Sequence, residues 1–445
     1  MKKIYFLILF TLSLLLINTK IFAVEISAPR AILIDMDSGK IIYEKDAYSP
    51  AYPASTTKIL TAILTLENCN LDDLVTASYR AVNSVYDDGV TSSIQSGETH
   101  TVRDLLSTML VHSANDAAYV LAEHVGGSTE SFATMMNARA KELGAQATYF
   151  VNPNGLPNAS HKCSVYDMAL FARYAMKNFP FFREIVSTVH YSLPITPEYR
   201  ALYKRENPDA TTVPPRYLTT TTNNLINPSK TSYYYEYATG IKTGFTSQAG
   251  NCLVASASKN DVDLIVVVFG ENGWVNQRKD VVDLFEYGFS RLQAEILAPA
   301  GSIIEKIDIK NGMTPLNVVV EDTLKATFSN TDLIEAFSPT IEIDKKLKAP
   351  IRKGDVIGTI TYNVYNSTYS SHLIAGNSIE VKPTIIAEAI EVTKVVFSMV
   401  FKIVLIAIVT IVIGFITIVI IRAYFMTKKQ RSRSHKMRMY NSRFR

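Results

Sequence analysis

Residues 53–60 read PASTTKIL: Ser55 stands three residues ahead of Lys58, with no histidine near either. The apolar positions at 59, 60, 63, 64 and 66 recur at helical spacing. STTKILTAILTLEN is therefore expected to be a helix, with Ser55 as its N-cap. Side chains three apart on a helix share a face, so the amine of Lys58 can reach the hydroxyl of Ser55. A serine hydroxyl is a weak nucleophile until a neighbouring base takes its proton. An unperturbed lysine, with a pKa of about 10.4, is a poor base at neutral pH. The surroundings must bring it down by roughly three pH units, about 4 kcal/mol. Burial against an apolar helix and a second nearby cation would each do so. Taken alone, Ser-x-x-Lys recurs by chance, and a capping serine beside a solvated lysine reads equally well.

Around this stretch the organisation follows from pattern. AILIDMDSGKIIYEKD (31–46) is two β-like runs about an Asp-Ser-Gly turn, a hairpin. TVRDLLSTMLVHS (101–113) is helical by its apolar spacing, and DAAYVLAEHVGG begins a second helix almost at once. Ser113-Ala114-Asn115 falls in the short connection between them. TGIKTG, NCLVASAS and VDLIVVVFG read as adjacent antiparallel strands, with Lys259-Asn260-Asp261 turning between the last two. Helices first and strands later around one sheet predict an α/β (α+β) catalytic domain over 24–292. From 298 to 383 short β-like pieces such as IIEKIDI, LNVVVED and DVIGTITY, separated by Gly, Pro, Asn and Asp, predict a small all-β domain. No cluster of catalytic side chains occurs in it.

The two ends point to a membrane. Residues 1–23 hold two early lysines, a long apolar run and Ala23 at a cleavage position, the pattern of a secretory signal peptide. Lys20, close to that position, leaves retention as an uncleaved anchor open. Residues 384–402 are expected to be a linker helix leading into the membrane. Residues 403–421 are uncharged for 19 positions, which as a helix is about 28 Å, close to the thickness of the hydrocarbon core. The tail 422–445 carries nine Lys or Arg and no Asp or Glu, so it is expected on the cytoplasmic side, with the domains outside. Without the tail the chain has 36 basic (45 less 9) against 41 acidic residues, a balance that argues against nucleic acid as a partner. The three cysteines, Cys69, Cys163 and Cys252, allow at most one disulfide and show no metal or redox spacing.

Two further elements follow Ser55-x-x-Lys58 in order: Ser113-x-Asn115 in a connection, and Lys242-Thr243-Gly244 on an expected strand. Together they resemble the motif set of the penicillin-binding proteins and serine β-lactamases. The longer stretches PASTTKILTA, SANDAAYVLAEHVGG, NPNGLPN, YDMAL and TGIKTGFTSQAGNCLVASA resemble the low-molecular-mass penicillin-binding proteins that are D-alanyl-D-alanine carboxypeptidases, the serine peptidase family of penicillin-binding protein 5 type. The resemblance spans roughly residues 25–292, and the β-rich stretch resembles that family's C-terminal domain more loosely. It implies a penicillin-binding-protein/β-lactamase-like transpeptidase fold, with Ser55 as acylated nucleophile and Lys58 as its base. It further implies that Ser113 relays protons, Asn115 holds the substrate's peptide, and Lys242 with Thr243 binds its terminal carboxylate. Gly244 would let the strand approach the substrate closely, and the backbone N–H groups of Ser55 and Phe245 would form the oxyanion hole. No cofactor or metal is required. The implied ligands are peptidoglycan stem peptides ending in D-Ala-D-Ala and β-lactam antibiotics.

Two features depart from the family pattern. Phe245 stands where many relatives have histidine, which leaves the backbone donor in place. A full span follows where an amphipathic surface anchor is common. Rival chemistries find less support. A β-lactamase needs a second base for its deacylating water, and Glu184, Glu198 and Glu206 stand in no matching context. A receptor that binds without cleaving would not need an intact Ser55/Lys58 pair. His-Glu-x-x-His and Gly-x-Ser-x-Gly are both absent. His112, beside Ser113, reads as a helix-end surface residue.

Overall fold

The computed structural model describes residues 24–441 except 86–88, 215, 217–218, 330–336, 345, 365–366 and 384. The expected signal segment 1–23 lies outside the described residues. The chain divides into two compact units, and everything described up to residue 302 lies in the first.

The expected hairpin forms as β1 (Arg30–Asp35) and β2 (Ile41–Lys45). After a 3₁₀ turn at Ala54–Thr57 come α1 (Lys58–Asn68), α2 (Val102–Val111), α3 (Asn115–Gly126) and α4 (Val165–Asn178). Three strands close the sheet: β3 (Ala238–Thr246), β4 (Gly250–Lys259) and β5 (Val262–Glu271), followed by α5 (Trp274–Phe289). The order across the sheet is β2-β1-β5-β4-β3, with every neighbouring pair antiparallel. The N-terminal hairpin is thus carried to the far side of strands made more than 200 residues later, as in the pairing of Ile34 with Ile265.

Both faces of this sheet are covered, which explains the unbroken apolar run in β5. Ile265, Val267 and Phe269 point into a core shared with α1, α2, α3 and α4, whereas Leu264, Val266 and Val268 point into a second core with Val281, Leu284 and Phe285 of α5. The strand's period of two sends alternate side chains to two hydrophobic layers rather than to core and water. Each such side chain contributes about 1.5–3 kcal/mol on burial. The β4–β5 turn uses Asn260 and Asp261, both left-handed at φ 52° and 61°, the backbone a two-residue hairpin favours.

The β-rich stretch comprises β6 (Leu292–Ala298), β7 (Ile303–Ile307), β8 (Leu316–Val320), β9 (Leu324–Ser329), β10 (Thr340–Ile343), β11 (Val356–Val364) and β12 (Ser367–Ala375). β6 pairs with β9, and the others form a sheet in the order β7-β8-β12-β11-β10. In β12, Tyr369, Ser371, Leu373 and Ala375 are buried while Thr368, Ser370 and His372 are exposed, the alternation of a sheet with one wet face. A single helix, α6 (Ile385–Asn441), takes in the expected linker, span and most of the tail. Its apolar stretch is long enough to cross a membrane, with a mean hydropathy of 3.3 and none of that stretch buried. All three cysteines are free.

Candidate active site

The 3₁₀ turn that carries Ser55 is built by strain and close approach. Ala54 is left-handed at φ 49°, and Ser55 caps nothing: Pro53 stands at the N-cap position, and no side chain caps the turn. The N-cap expected at Ser55 is therefore replaced by a tighter turn that points its hydroxyl at Lys58. Gly155 holds the far side of this turn. A Cβ there would lie 1.8 Å from the Ala54 carbonyl oxygen, and its φ is 86°, so only glycine fits. On the near side a Cβ on Gly244 would lie 3.0 Å from both Ser55 N and Pro53 O. Strand β3 and the nucleophile turn therefore meet at Gly244, with the edge of the strand beside the Ser55 N–H.

Lys58 is fully buried. Its Nζ lies 3.0 Å from Ser55 Oγ, 2.8 Å from Asn115 Oδ1 and 2.9 Å from the Asn154 carbonyl oxygen. A neutral amine has two N–H donors and one lone pair. Asn115 and Asn154 offer only acceptors, so they take the two N–H groups and leave the lone pair facing the Ser55 hydroxyl. Burial pushes the Lys58 pKa well below its ordinary value, Lys242 pushes it the same way by like charge, and Asp116 opposes them. Lys242 is itself buried, with Nζ donating to Thr243 O at 3.0 Å, and desolvation brings it to about 7.

Ser55, Ser113, Asn115, Thr243, Gly244 and Phe245 line one groove of about 1260 Å³, larger than a typical small-ligand pocket. Lys58 and Lys242 stand behind that wall. Ser113 is left-handed at φ 67° and only 6% exposed, and Asn115 is the first residue of α3 rather than part of the connection. Thr243 Oγ1 donates to Thr222 Oγ1 at 2.5 Å. Phe245 is 58% exposed, its ring 6.2 Å from that of Trp274. Among the described residues no Asp or Glu lines the groove; Glu184, Glu198 and Glu206 are exposed and do not line it. His112, at the end of α2, is half-buried rather than on the surface, and it too stands off the groove.

Three supports carry no motif. His161, nine-tenths buried or more, accepts from Val151 N at Nδ1 (3.1 Å) and lies 2.9 Å from Thr57 Oγ1 at Nε2. With Nδ1 an acceptor, Nε2 carries the proton and donates to Thr57, whose hydroxyl donates on to Ala54 O at 2.8 Å. His161 thus ties the nucleophile turn to the segment bearing Asn154, and burial holds it neutral, down to about 3. Asp116 accepts from Ser92 N and Ile94 N at 3.0 Å, while Asn115 N donates to Val90 O at 2.8 Å. These bonds latch residues 90–94, of which Val90 lines the groove, to the first turn of α3. Buried Glu98 meets His100 Nε2 at 2.9 Å, Thr196 Oγ1 at 3.2 Å and Arg216, which also donates to Ser92 O at 3.1 Å. Burial favours a protonated Glu98, but His100 and Arg216 outweigh it and hold the pKa below its ordinary value.

Comparison with known proteins bears on the fold and the family. Residues 17–273 match the family model described as D-alanyl-D-alanine carboxypeptidase, and residues 293–381 match the C-terminal domain of penicillin-binding protein 5. The chain is 31% identical to the D-alanyl-D-alanine carboxypeptidase DacF of Bacillus subtilis over 75% of its own length and 80% of the relative's. It is 27% identical to DacC of Escherichia coli, covering 87% of this chain and 90% of that one. The crystal structure of penicillin binding protein 5 from Haemophilus influenzae superposes with a TM-score of 0.56 at 26% identity, covering 81% of this chain and 99% of that one. With more than half of its length matched by that family model, the chain belongs to the D-alanyl-D-alanine carboxypeptidase family of serine peptidases.

Proposed function

We propose that this chain is a membrane-anchored serine D,D-carboxypeptidase that removes the terminal D-alanine from peptidoglycan stem pentapeptides. The observation that carries the reading is the buried Lys58 amine 3.0 Å from Ser55 Oγ, its other two partners both acceptors. Neutral Lys58 takes the Ser55 proton as Oγ attacks the carbonyl carbon between the two D-alanines. Negative charge develops on the carbonyl oxygen, facing the N–H groups of Ser55 and Phe245. The peptide bond breaks, the leaving amine takes the proton by way of Ser113, and the acyl group stays on Ser55 until water releases it. Asn115 holds the substrate's peptide, and Thr243 faces its terminal carboxylate with Lys242 behind. A β-lactam opens on Ser55 by the same first step, and the lack of a carboxylate among the described groove residues supports slow release of that adduct.

The test uses a stem pentapeptide ending in D-Ala-D-Ala together with a fluorescent penicillin. Released D-alanine and a long-lived covalent label are expected. Rapid penicillin turnover without bound label would replace this reading with a β-lactamase. The nine basic residues after 421 support a cytoplasmic tail and an external catalytic domain. Protease added to intact protoplasts should digest the domain around Ser55 and spare an epitope placed after Arg445. Digestion of that epitope would reverse the topology.

A further inference from the structure

Nine basic residues and no acidic one follow the uncharged run 403–421. Helix α6 continues without a break to Asn441, so Arg422, Lys428, Lys429 and Arg431 are carried on a rod that prolongs the span, and all four are exposed. At about 1.5 Å per residue they stand between about 2 and 15 Å beyond Ile421. A bilayer adds about 5–7 Å of headgroups on each side of its hydrocarbon, and a charge is felt about 8 Å further through physiological salt. The four cations therefore lie inside the headgroup layer or within one screening length of it. Tyr424 and Phe425 occupy the same stretch, 63% and 62% exposed, at the depth where aromatic rings settle among headgroups.

The directions of the four side chains narrow the partner. Lys428, Lys429 and Arg431 point about 240°, 340° and 180° around the helix axis from Arg422, at about 100° per residue. Spread over about half the circumference, they cannot all meet one packed neighbour, whose share of a helix is about 100°. Lipid headgroups lie on every side of a span and can meet each of them. The opposite flank has no such excess: residues 384–402 hold two acidic and two basic side chains, with Lys394 3.3 Å from Glu391.

We propose that residues 422–431 bind the phosphate headgroups of anionic phospholipids in the leaflet from which they emerge, so that the anchor gathers such lipids around itself. The inference rests on the membrane-anchored reading above. Ammonium and guanidinium groups hold phosphate oxygens by charge-assisted hydrogen bonds, the guanidinium in a bidentate fork. Each cation near an anionic surface favours it roughly fivefold, and the attraction weakens as salt rises.

In the test, the full chain is reconstituted in phosphatidylcholine vesicles containing a minority of phosphatidylglycerol, and spin-labelled forms of the two lipids report which is held against the protein. The native chain should select phosphatidylglycerol roughly fivefold or more at low salt, and less at high salt. Lys428→Gln, Lys429→Gln and Arg431→Gln combined should remove most of that preference, with Arg422 kept to preserve the end of the span. Lys394→Gln with Lys402→Gln, on the opposite flank, should leave it in place. Unchanged covalent labelling by penicillin checks folding in both variants. Equal selection of the two lipids by the native chain, or an unaltered preference in the triple variant, overturns the proposal. So does a chain that ignores lipid charge yet retards RNA in a gel, which would make nucleic acid the partner of the tail. A chain that fails to float with phosphatidylcholine vesicles sinks the membrane reading itself; one that floats without preference sinks only the lipid site.

Discussion

Lysine occurs in two contrasting regions of this molecule. In the catalytic unit Lys58 and Lys242 are at most 1% exposed, and desolvation strips them toward the neutral form. In the C-terminal helix the described basic residues differ: Lys428, Lys429 and Arg431 are all exposed. The same side chain is a base in one place and a fixed charge in the other. What differs is how much water reaches it, so the chemistry resides in the packing around a residue as much as in its identity.

The sharpest way to break this contrast is to remove the buried partners. Ser55→Ala should abolish covalent labelling by a fluorescent penicillin, and Lys58→Ala should slow acylation by several orders of magnitude with the fold intact. Lys58→Arg should be as slow as the alanine variant, because a guanidinium stays charged where the site needs a neutral amine. Retained labelling in Ser55→Ala would overturn the nucleophile assignment.

A smaller effect tests the like-charge contribution. Lys242 lowers the Lys58 pKa, so Lys242→Gln raises it, and the acidic limb of the acylation profile should move toward higher pH. Activity would be lost first at the acid end, where Lys58 gains its proton. An unmoved limb would mean that burial alone keeps Lys58 neutral.

His161→Leu removes the tie between the nucleophile turn and the Asn154 segment. It should lower the maximal acylation rate roughly tenfold, the scale of a misaligned general base, with little change in noncovalent affinity. His161→Gln should recover part of the rate, and equal losses in rate and affinity would point to general loosening. The smallest effect is expected at the other end of the comparison. A chain ending before residue 384 should leave the membrane fraction and acylate at the native rate.

Local pattern exposed much of this architecture. Ser55 and Lys58 lie three residues apart, and β5 is a nearly continuous apolar run that follows a tight turn, so short-range pattern located them. The supports of the site are different in kind. Asn154 contributes a backbone carbonyl, which leaves no mark on residue identity. His161 works through Thr57, 104 residues earlier in the chain. The Glu98–Arg216 pair spans 118 residues. The tight turn at Ala54 was hidden because alanine carries no signal for a left-handed backbone; the contact with Gly155 demands it.

Asp116 has one further consequence. Its carboxylate holds the segment that follows the groove-lining Val90, through Ser92 N and Ile94 N, and its charge is felt by Lys58. Wall position and base strength therefore share a common variable, and linkage makes their coupling reciprocal. A ligand that draws the wall away from Asp116 alters the proton affinity of Lys58, and protonation of Lys58 alters affinity for that ligand by the same factor. Noncovalent binding of a peptide long enough to press on residues 90–94 should thus depend on pH over the range in which acylation does.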